Sequence, residues 1–226
     1  MLYVQLNGGS DKMLFENKTP HLLYREYNKD RRLNSFFSPN NIGKCVKIFD
    51  DYFQAVKGDI NKDGWEHYCI SKIRRESLMN AVDFMAAKYK IDKVDAAEYV
   101  HFRVIGQTWN GMMYEIKCIN TLQKYFPNLT FRKTPYEIDD QYCTDWEAYS
   151  DKLLFGIQVK PESYTYMNTP YQNKAKERHQ EQIEKYKEKF KVPHYFVYYA
   201  DGKMIQDVDL FNKINTYLAL SIQVNL

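Results

Sequence analysis

Tyr142-Cys143-Thr144-Asp145-Trp146-Glu147-Ala148-Tyr149-Ser150-Asp151-Lys152-Leu153-Leu154-Phe155-Gly156-Ile157-Gln158-Val159-Lys160 decides the reading of this chain. Tyr142–Ala148 and Lys152–Lys160 carry the aromatic and β-branched residues of strands, and Tyr149-Ser150-Asp151 between them reads as a turn. Side chains two apart on a strand share a face, so Gln158 and Lys160 project together while Val159 points away. A tight antiparallel return brings Asp145 alongside them, and Glu147 shares the face of Asp145. Aspartate is disfavoured inside strands because its short carboxylate competes for backbone hydrogen bonds, so Asp145 needs a reason to be there.

On the N-terminal side of this hairpin, Thr108–Phe126 reads as a long helix, with Thr108 as its cap and Pro127 beyond its end. Leu129–Lys133 is a short strand, followed by an acidic, turn-rich passage from Glu137 to Asp140. On the C-terminal side Asn173–Phe190 is a second long helix with Ile183, Tyr186 and Phe190 on its apolar stripe. His194–Ala200 is a buried strand, Ala200–Lys203 a turn, and a final helix or strand closes the chain. This order specifies an α/β or α+β core over residues 101–226, with a mixed central sheet flanked by helices. Before it, Val46, Phe49, Tyr52 and Phe53, then Leu78, Val82, Met85 and Tyr89, fall at helical spacing. Residues 1–100 are therefore expected to form a mainly helical N-terminal lobe. Its first 40 residues read as loop with one strand at Met1–Leu6, and Lys29-Asp30-Arg31-Arg32 as a solvated surface run.

Composition narrows the function classes. The chain has 226 residues, 44% hydrophobic and 27% charged, as a globular protein does. A net charge of +3 from 32 basic and 29 acidic residues excludes a histone-like polycation and allows a locally basic cleft. Cys45, Cys69, Cys118 and Cys143 lack zinc-site spacing and do not form a small disulfide framework. Met1–Met13 has no basic segment leading into an apolar run, and no uncharged apolar stretch approaches the roughly 20 residues that span a bilayer. A cytoplasmic protein with no membrane partner is expected.

Two other features carry charge into the core or onto a loop. Glu115 lies in the stripe Met112, Glu115, Ile119, Leu122, where a carboxylate needs a cation or a metal beside it. Tyr164, Tyr166, Asn168, Tyr171, Gln172, Asn173, Lys174, Lys176 and Arg178 interleave aromatic, amide and basic groups after Lys160. Such side chains suit phosphate contacts and base-edge reading. Lys72-Ile73-Arg74-Arg75 is a second basic candidate, in the helical lobe. Asp59–Gly64 starts like a calcium loop, but Ile70 occupies the position that requires a bidentate glutamate. His179 and His194 have no nucleophile motif near them and are expected to be structural.

A carboxylate, an amide oxygen and a lysine on one sheet face can hold a hard cation, orient a water and neutralise charge on a phosphorane. Glu115, Asp145 and Gln158-Val159-Lys160 together resemble the PD-(D/E)xK nuclease superfamily. Thr134-Pro135-Tyr136-Glu137, Thr144-Asp145-Trp146-Glu147, Gly156–Tyr164 and Val104-Ile105-Gly106-Gln107 are most similar to the MjaI-type restriction endonucleases. The resemblance implies a restriction-endonuclease-like core and a type II restriction enzyme. Such an enzyme hydrolyses phosphodiester bonds of double-stranded DNA at a short specific sequence, with Mg2+. It further implies Asp145 as metal-binding aspartate, Lys160 as the lysine and Glu115 as the helical glutamate, with Gln158 and Glu147 as further ligands. Position 158 departs from the family, where Glu or Asp is usual. One-metal chemistry, or a compensating carboxylate at Glu147, Glu137 or Asp140, are the alternatives this leaves. Palindromic sites imply a homodimer, and the N-terminal lobe would serve DNA binding or dimerisation. Two other readings stay open. Gln182-Ile183-Glu184-Lys185-Tyr186, 22 residues after Lys160, resembles the helix of RecB-like exonucleases and repair nucleases. A DNA-binding protein with a degraded nuclease core is the other.

Overall fold

The computed structural model describes residues 27–223 apart from 167, 202 and 206. The strand expected at Met1–Leu6 lies outside the described residues. The chain divides into two compact units, with the boundary between Gly111 and Met112.

In the first unit all regular structure among the described residues is helical. It comprises α1 (Arg31–Phe36), α2 (Pro39–Ile42), α3 (Cys45–Ala55), α4 (Lys62–Lys72), α5 (Arg75–Tyr89) and α6 (Lys93–His101). Phe49, Trp65, Leu78, Met85 and Tyr99 are fully buried in its core, each contributing roughly 2 kcal/mol relative to exposure. The Trp65 ring lies 5.0 Å from Phe49, and its indole N–H donates to the Ile105 carbonyl at 3.1 Å. Residues 31–36 and 39–42 are helical where loop was expected, and the first of these helices starts there because Asp30 is its cap. Its carboxylate accepts the N–H groups of Arg32 at 3.0 Å and Leu33 at 3.2 Å, and Leu33 is fully buried. The Lys88 ammonium at 2.6 Å, with the Tyr89 hydroxyl, holds the same carboxyl far below the usual range. Within Lys29–Arg32, Asp30 is thus anchored, while Lys29, Arg31 and Arg32 are exposed as expected of a surface run. Asn61, in the calcium-loop-like stretch, caps α4 by accepting from Gly64 N at 2.8 Å.

A π-helical turn, Phe102–Gly106, runs from α6 directly into α7 (Gln107–Tyr125). Thr108 is therefore not a cap; its hydroxyl donates back to the Val104 carbonyl at 2.9 Å. Gly106 suits this turn, since a Cβ there would sit 2.9 Å from the Phe102 ring and force it to shift.

The second unit is built on a five-stranded sheet. Its strands are β1 (Thr130–Lys133), β2 (Trp146–Tyr149), β3 (Leu153–Pro161), β4 (His194–Ala200) and β5 (Lys203–Met204), ordered β1-β2-β3-β4-β5. Only β3–β4 is parallel, so the sheet is mixed as expected. The acidic passage is a helix, α8 (Tyr136–Tyr142), started after Pro135 and closed by Cys143 in the left-handed region at φ 52°. This helix takes the beginning of the strand expected from Tyr142, and β2 begins at Trp146. Beyond β3 come α9 (Ser163–Tyr166), α10 (Pro170–Phe190) and, at the C-terminal end, α11 (Val208–Gln223). Helix α10 starts ahead of the expected Asn173 because Thr169 and Gln172 form a reciprocal capping box with Pro170 between them.

Register defines the two sheet faces. Phe131, Ala148 and Phe155 align on one, with Ile157 and Tyr195, and α7 covers it by stacking Tyr114 on Tyr199 at 4.6 Å. On the other face Glu147, Gly156 and His194 align, followed by Gln158 with Phe196 and Lys160 with Tyr198. Helix α10 covers that face. Tyr186 comes so close to Gly156 that a Cβ there would lie 2.7 Å from the tyrosine ring and 2.9 Å from His194. Only glycine fits.

Candidate active site

Where β2 and β3 part, the sheet delivers Asp145 to Gln158. Asp145 N donates to the Ile157 carbonyl at 2.9 Å, continuing the ladder one step past Trp146. At Val159 the ladder has opened, and a side chain replaces the missing carbonyl. Asp145 Oδ2 accepts Val159 N at 2.7 Å and also the Gln158 amide Nε2. That explains an aspartate in strand-like sequence: it satisfies a backbone donor that β2 no longer reaches. Thr134 fixes it from the other side. Its N–H donates to the Asp145 carbonyl at 3.0 Å, and its hydroxyl lies between the carbonyls of Thr144 and Asp145.

Asp145 is 4% exposed and Gln158 2% exposed. A carboxylate only accepts hydrogen bonds, so Gln158 must turn its NH2 toward Asp145. Its Oε1 is left buried with no hydrogen-bond partner. An unpaired buried amide oxygen costs about 1–3 kcal/mol unless another group fills its lone pairs. Lys160, on the same face, is half-buried. Burial pulls its pKa down, but the charge of Asp145, then those of Cys143, Asp139 and Glu115, outweighs this and raises it. As an ammonium, Lys160 can donate to a phosphate or a water.

Glu115 comes from α7 between buried Met112, Ile119 and Leu122, and its Oε2 lies 3.5 Å from Lys133 Nζ. Burial, then the charge of Asp145, raises its pKa to about 8 against the opposing pull of Lys133 and Lys160. Asp139 of α8 is pushed up in the same way, by burial first and then by Asp145. Glu115, Asp139 and Asp145 with Lys133 and Lys160 thus form one electrostatic cluster. Asp139 and Lys133 were missed from sequence. The helical register Tyr136–Tyr142, had it been read, turns Asp139 inward and leaves Glu137 and Asp140 exposed.

Other site candidates are placed differently. Glu147 is held by two tyrosines: Tyr149 donates to its Oε2 at 2.6 Å and Tyr186 to its Oε1 at 2.8 Å. Tyr164 is half-buried beside His179, with 3.1 Å between the tyrosine Oη and His179 Nδ1, and Lys176 lies over its ring. Burial, then Lys160 and Arg178, depress the His179 pKa to about 4. Lys176 also donates to the Thr165 carbonyl at 3.2 Å, Tyr166 to Glu162 at 3.0 Å, and Asn173 to the Asn168 carbonyl at 3.4 Å. Gln172 Oε1 is used by the cap, whereas Lys174 and Arg178 are exposed. Gln182 and Tyr186 brace the fold, donating to the Asp140 carbonyl at 2.7 Å and to Glu147. In the first unit Arg74 Nη1 donates to the Asn40 carbonyl at 2.7 Å, and Lys72 lies over the Tyr68 ring.

Among the described residues no three His, Cys, Asp or Glu side chains are gathered closely enough to hold a metal ion by themselves. Magnesium does not require such a cage, since one or two carboxylates, waters and phosphate oxygens complete its octahedron. The buried, unpartnered Gln158 Oε1 beside the Asp145 carboxylate fits a hard cation. No helix among the described residues is long and apolar enough to cross a membrane.

Comparison with known proteins adds the family. Searches of curated proteins and of solved structures returned no match. The family model for the MjaI restriction endonuclease matches residues 28–208, which takes in both units and every residue of the cluster. The chain therefore belongs to the MjaI restriction endonuclease family, whose members are nucleases acting on DNA.

Proposed function

We propose that this protein is a type II restriction endonuclease that hydrolyses both strands of double-stranded DNA at a short specific sequence, with Mg2+, as a cytoplasmic homodimer. The observation that carries the site assignment is the buried Asp145–Gln158 pair with its unsatisfied Gln158 oxygen, on the sheet face that also presents Lys160. Asp145 and Gln158 Oε1 would hold the cation. When bound, it supplies Lewis acidity toward a phosphate oxygen and toward water.

The chain's own residues do the rest. Lys160 donates hydrogen bonds to the attacking water and to the non-bridging phosphate oxygens, placing fixed positive charge where negative charge grows. Glu115, paired with Lys133, lies in the same electrostatic cluster and acts from a distance rather than on the phosphate. Lys174 and Arg178, exposed at the start of α10, contact backbone phosphates, while Tyr166 and Asn168 lie on the segment leading into that helix.

Digestion of circular plasmid tests the reading. Discrete fragments with Mg2+, and none with EDTA, are the expected result. A smear that requires free ends would instead favour the exonuclease, and a mobility shift without cutting under any divalent ion would favour the degraded binding module.

A further inference from the structure

We propose that Asp139 supplies, from α8, the second carboxylate of the metal site, replacing the acidic side chain that Gln158 does not provide. The inference rests on the nuclease reading above and deepens it.

The argument begins with the backbone. Thr134 binds the carbonyls of Thr144 and Asp145, so α8 is a closed excursion whose two ends meet beside Asp145. Within it Asp139 is half-buried, whereas Glu137 and Asp140 are exposed. Cys143 N donates to the Asp139 carbonyl at 2.8 Å, which fixes the residue one turn before the chain re-enters the sheet. The other acids near the site already have partners. Glu147 is held by two tyrosines, Asp140 accepts from the Tyr136 hydroxyl at 2.8 Å, and Glu115 pairs with Lys133.

No described side chain hydrogen-bonds to the Asp139 carboxylate. The charges that face it are Asp145 and Glu115, which repel it, and Lys133 and Lys160, which attract it. A half-buried carboxylate with no donor of its own, set against two others, is unfavourable in the protein alone. A divalent cation would reverse that sign. The second, independent pointer to a ligand is Gln158 Oε1, buried and unpartnered against Asp145. With Gln158 neutral, Asp145 alone offsets one of the two positive charges of magnesium; Asp139 offsets the other, within the one or two carboxylates such sites use.

Mn2+ binding by the full-length protein, without DNA, tests this by electron paramagnetic resonance or calorimetry. Asp139→Asn is expected to weaken Mn2+ binding about tenfold or more. Its metal-free melting temperature should equal or exceed that of the wild type, since no described hydrogen bond to that carboxyl is lost. Asp139→Asn combined with Gln158→Glu should return the affinity to within about threefold of wild type, because the lost charge is restored at another ligand position of the same proposed site. Mn2+ affinity unchanged by Asp139→Asn, but lost in Asp145→Asn, overturns this inference and leaves the nuclease reading intact. A drop in both affinity and metal-free melting temperature, with no rescue by Gln158→Glu, assigns Asp139 a structural role and also overturns it. A wild-type protein that binds no Mn2+ overturns the metal-dependent reading and this inference with it.

Discussion

Replacing Asp145 by alanine and by asparagine should give different proteins, and the difference follows from two hydrogen bonds. Alanine removes the acceptor of Val159 N, at 2.7 Å, and of the Gln158 amide, both buried. Each stranded donor costs about 1–3 kcal/mol, so the gross loss is about 2–6 kcal/mol. Relief of the repulsion that Asp145 exerts on Glu115 and Asp139 offsets part of this. A net destabilisation of about 2 kcal/mol remains, equivalent to a fall of roughly 4–8 °C in melting temperature for a protein of this size. Asparagine keeps an oxygen where both donors converge, so Asp145→Asn should stay within about 1 kcal/mol of wild type. Both variants should lose cleavage by about 100-fold or more, since neither presents an anion to the cation. Urea unfolding in EDTA, followed by tryptophan emission, gives the stabilities, and plasmid digestion gives the activities. An alanine variant as stable as the asparagine variant would refute the carboxylate's role as a surrogate strand carbonyl. Cleavage at the wild-type rate by either one would remove Asp145 from the site.

Further outcomes are equally specific. Lys160→Ala should reduce cleavage by about 100-fold to 1,000-fold while DNA binding in a mobility-shift assay changes little; undiminished cutting would exclude the lysine from the chemistry. Gly156→Ala forces a methyl group against Tyr186 and His194 and should destabilise by about 1–3 kcal/mol, with an unchanged urea midpoint as the contrary result. Thr134→Val removes a hydroxyl from between two carbonyls and should cost about 1 kcal/mol, read as a fall in melting temperature that Thr134→Ser largely avoids. His194 is buried, which lowers its pKa from 6.5 to about 4. Between those two values the unfolded chain takes up a proton that the folded one refuses. Stability from this residue is complete above pH 6.5 and declines as the pH falls toward 4, by roughly 3 kcal/mol in all. Urea midpoints at pH 7, 5.5 and 4.5 should therefore fall less steeply in His194→Gln than in wild type, and parallel declines would contradict the assignment.

The sheet around the site was largely legible in the sequence because β3 carries its own evidence. Ile157 through Lys160 alternates apolar and polar side chains, and that alternation fixes which residues share a face. The helix of Glu115 was legible for a similar reason, an apolar stripe interrupted by one acid. What escaped was local hydrogen bonding. Asp30 looks like one charge among four until Lys88 and Tyr89, far away in sequence, are seen to meet it. The passage from Glu137 to Asp140 reads as a turn because three acids crowd it, yet Pro135 and the packing of Tyr142 against Tyr186 and Phe190 make it a helix. Without that helix the inward position of Asp139 has no signature. Glu147 illustrates a related limit of pattern: strand periodicity places it on the expected face, but cannot show that two tyrosines donate to its oxygens.

The grip of Thr134 on Thr144 and Asp145 separates two kinds of inheritance in the site. The aspartate is addressed by the sheet, so it keeps its place whatever the helix between these anchor points does. An acid carried on that helix is placed instead by the helix's own turn and by its packing on α10, so the two carboxylates answer to separate stretches of the sequence.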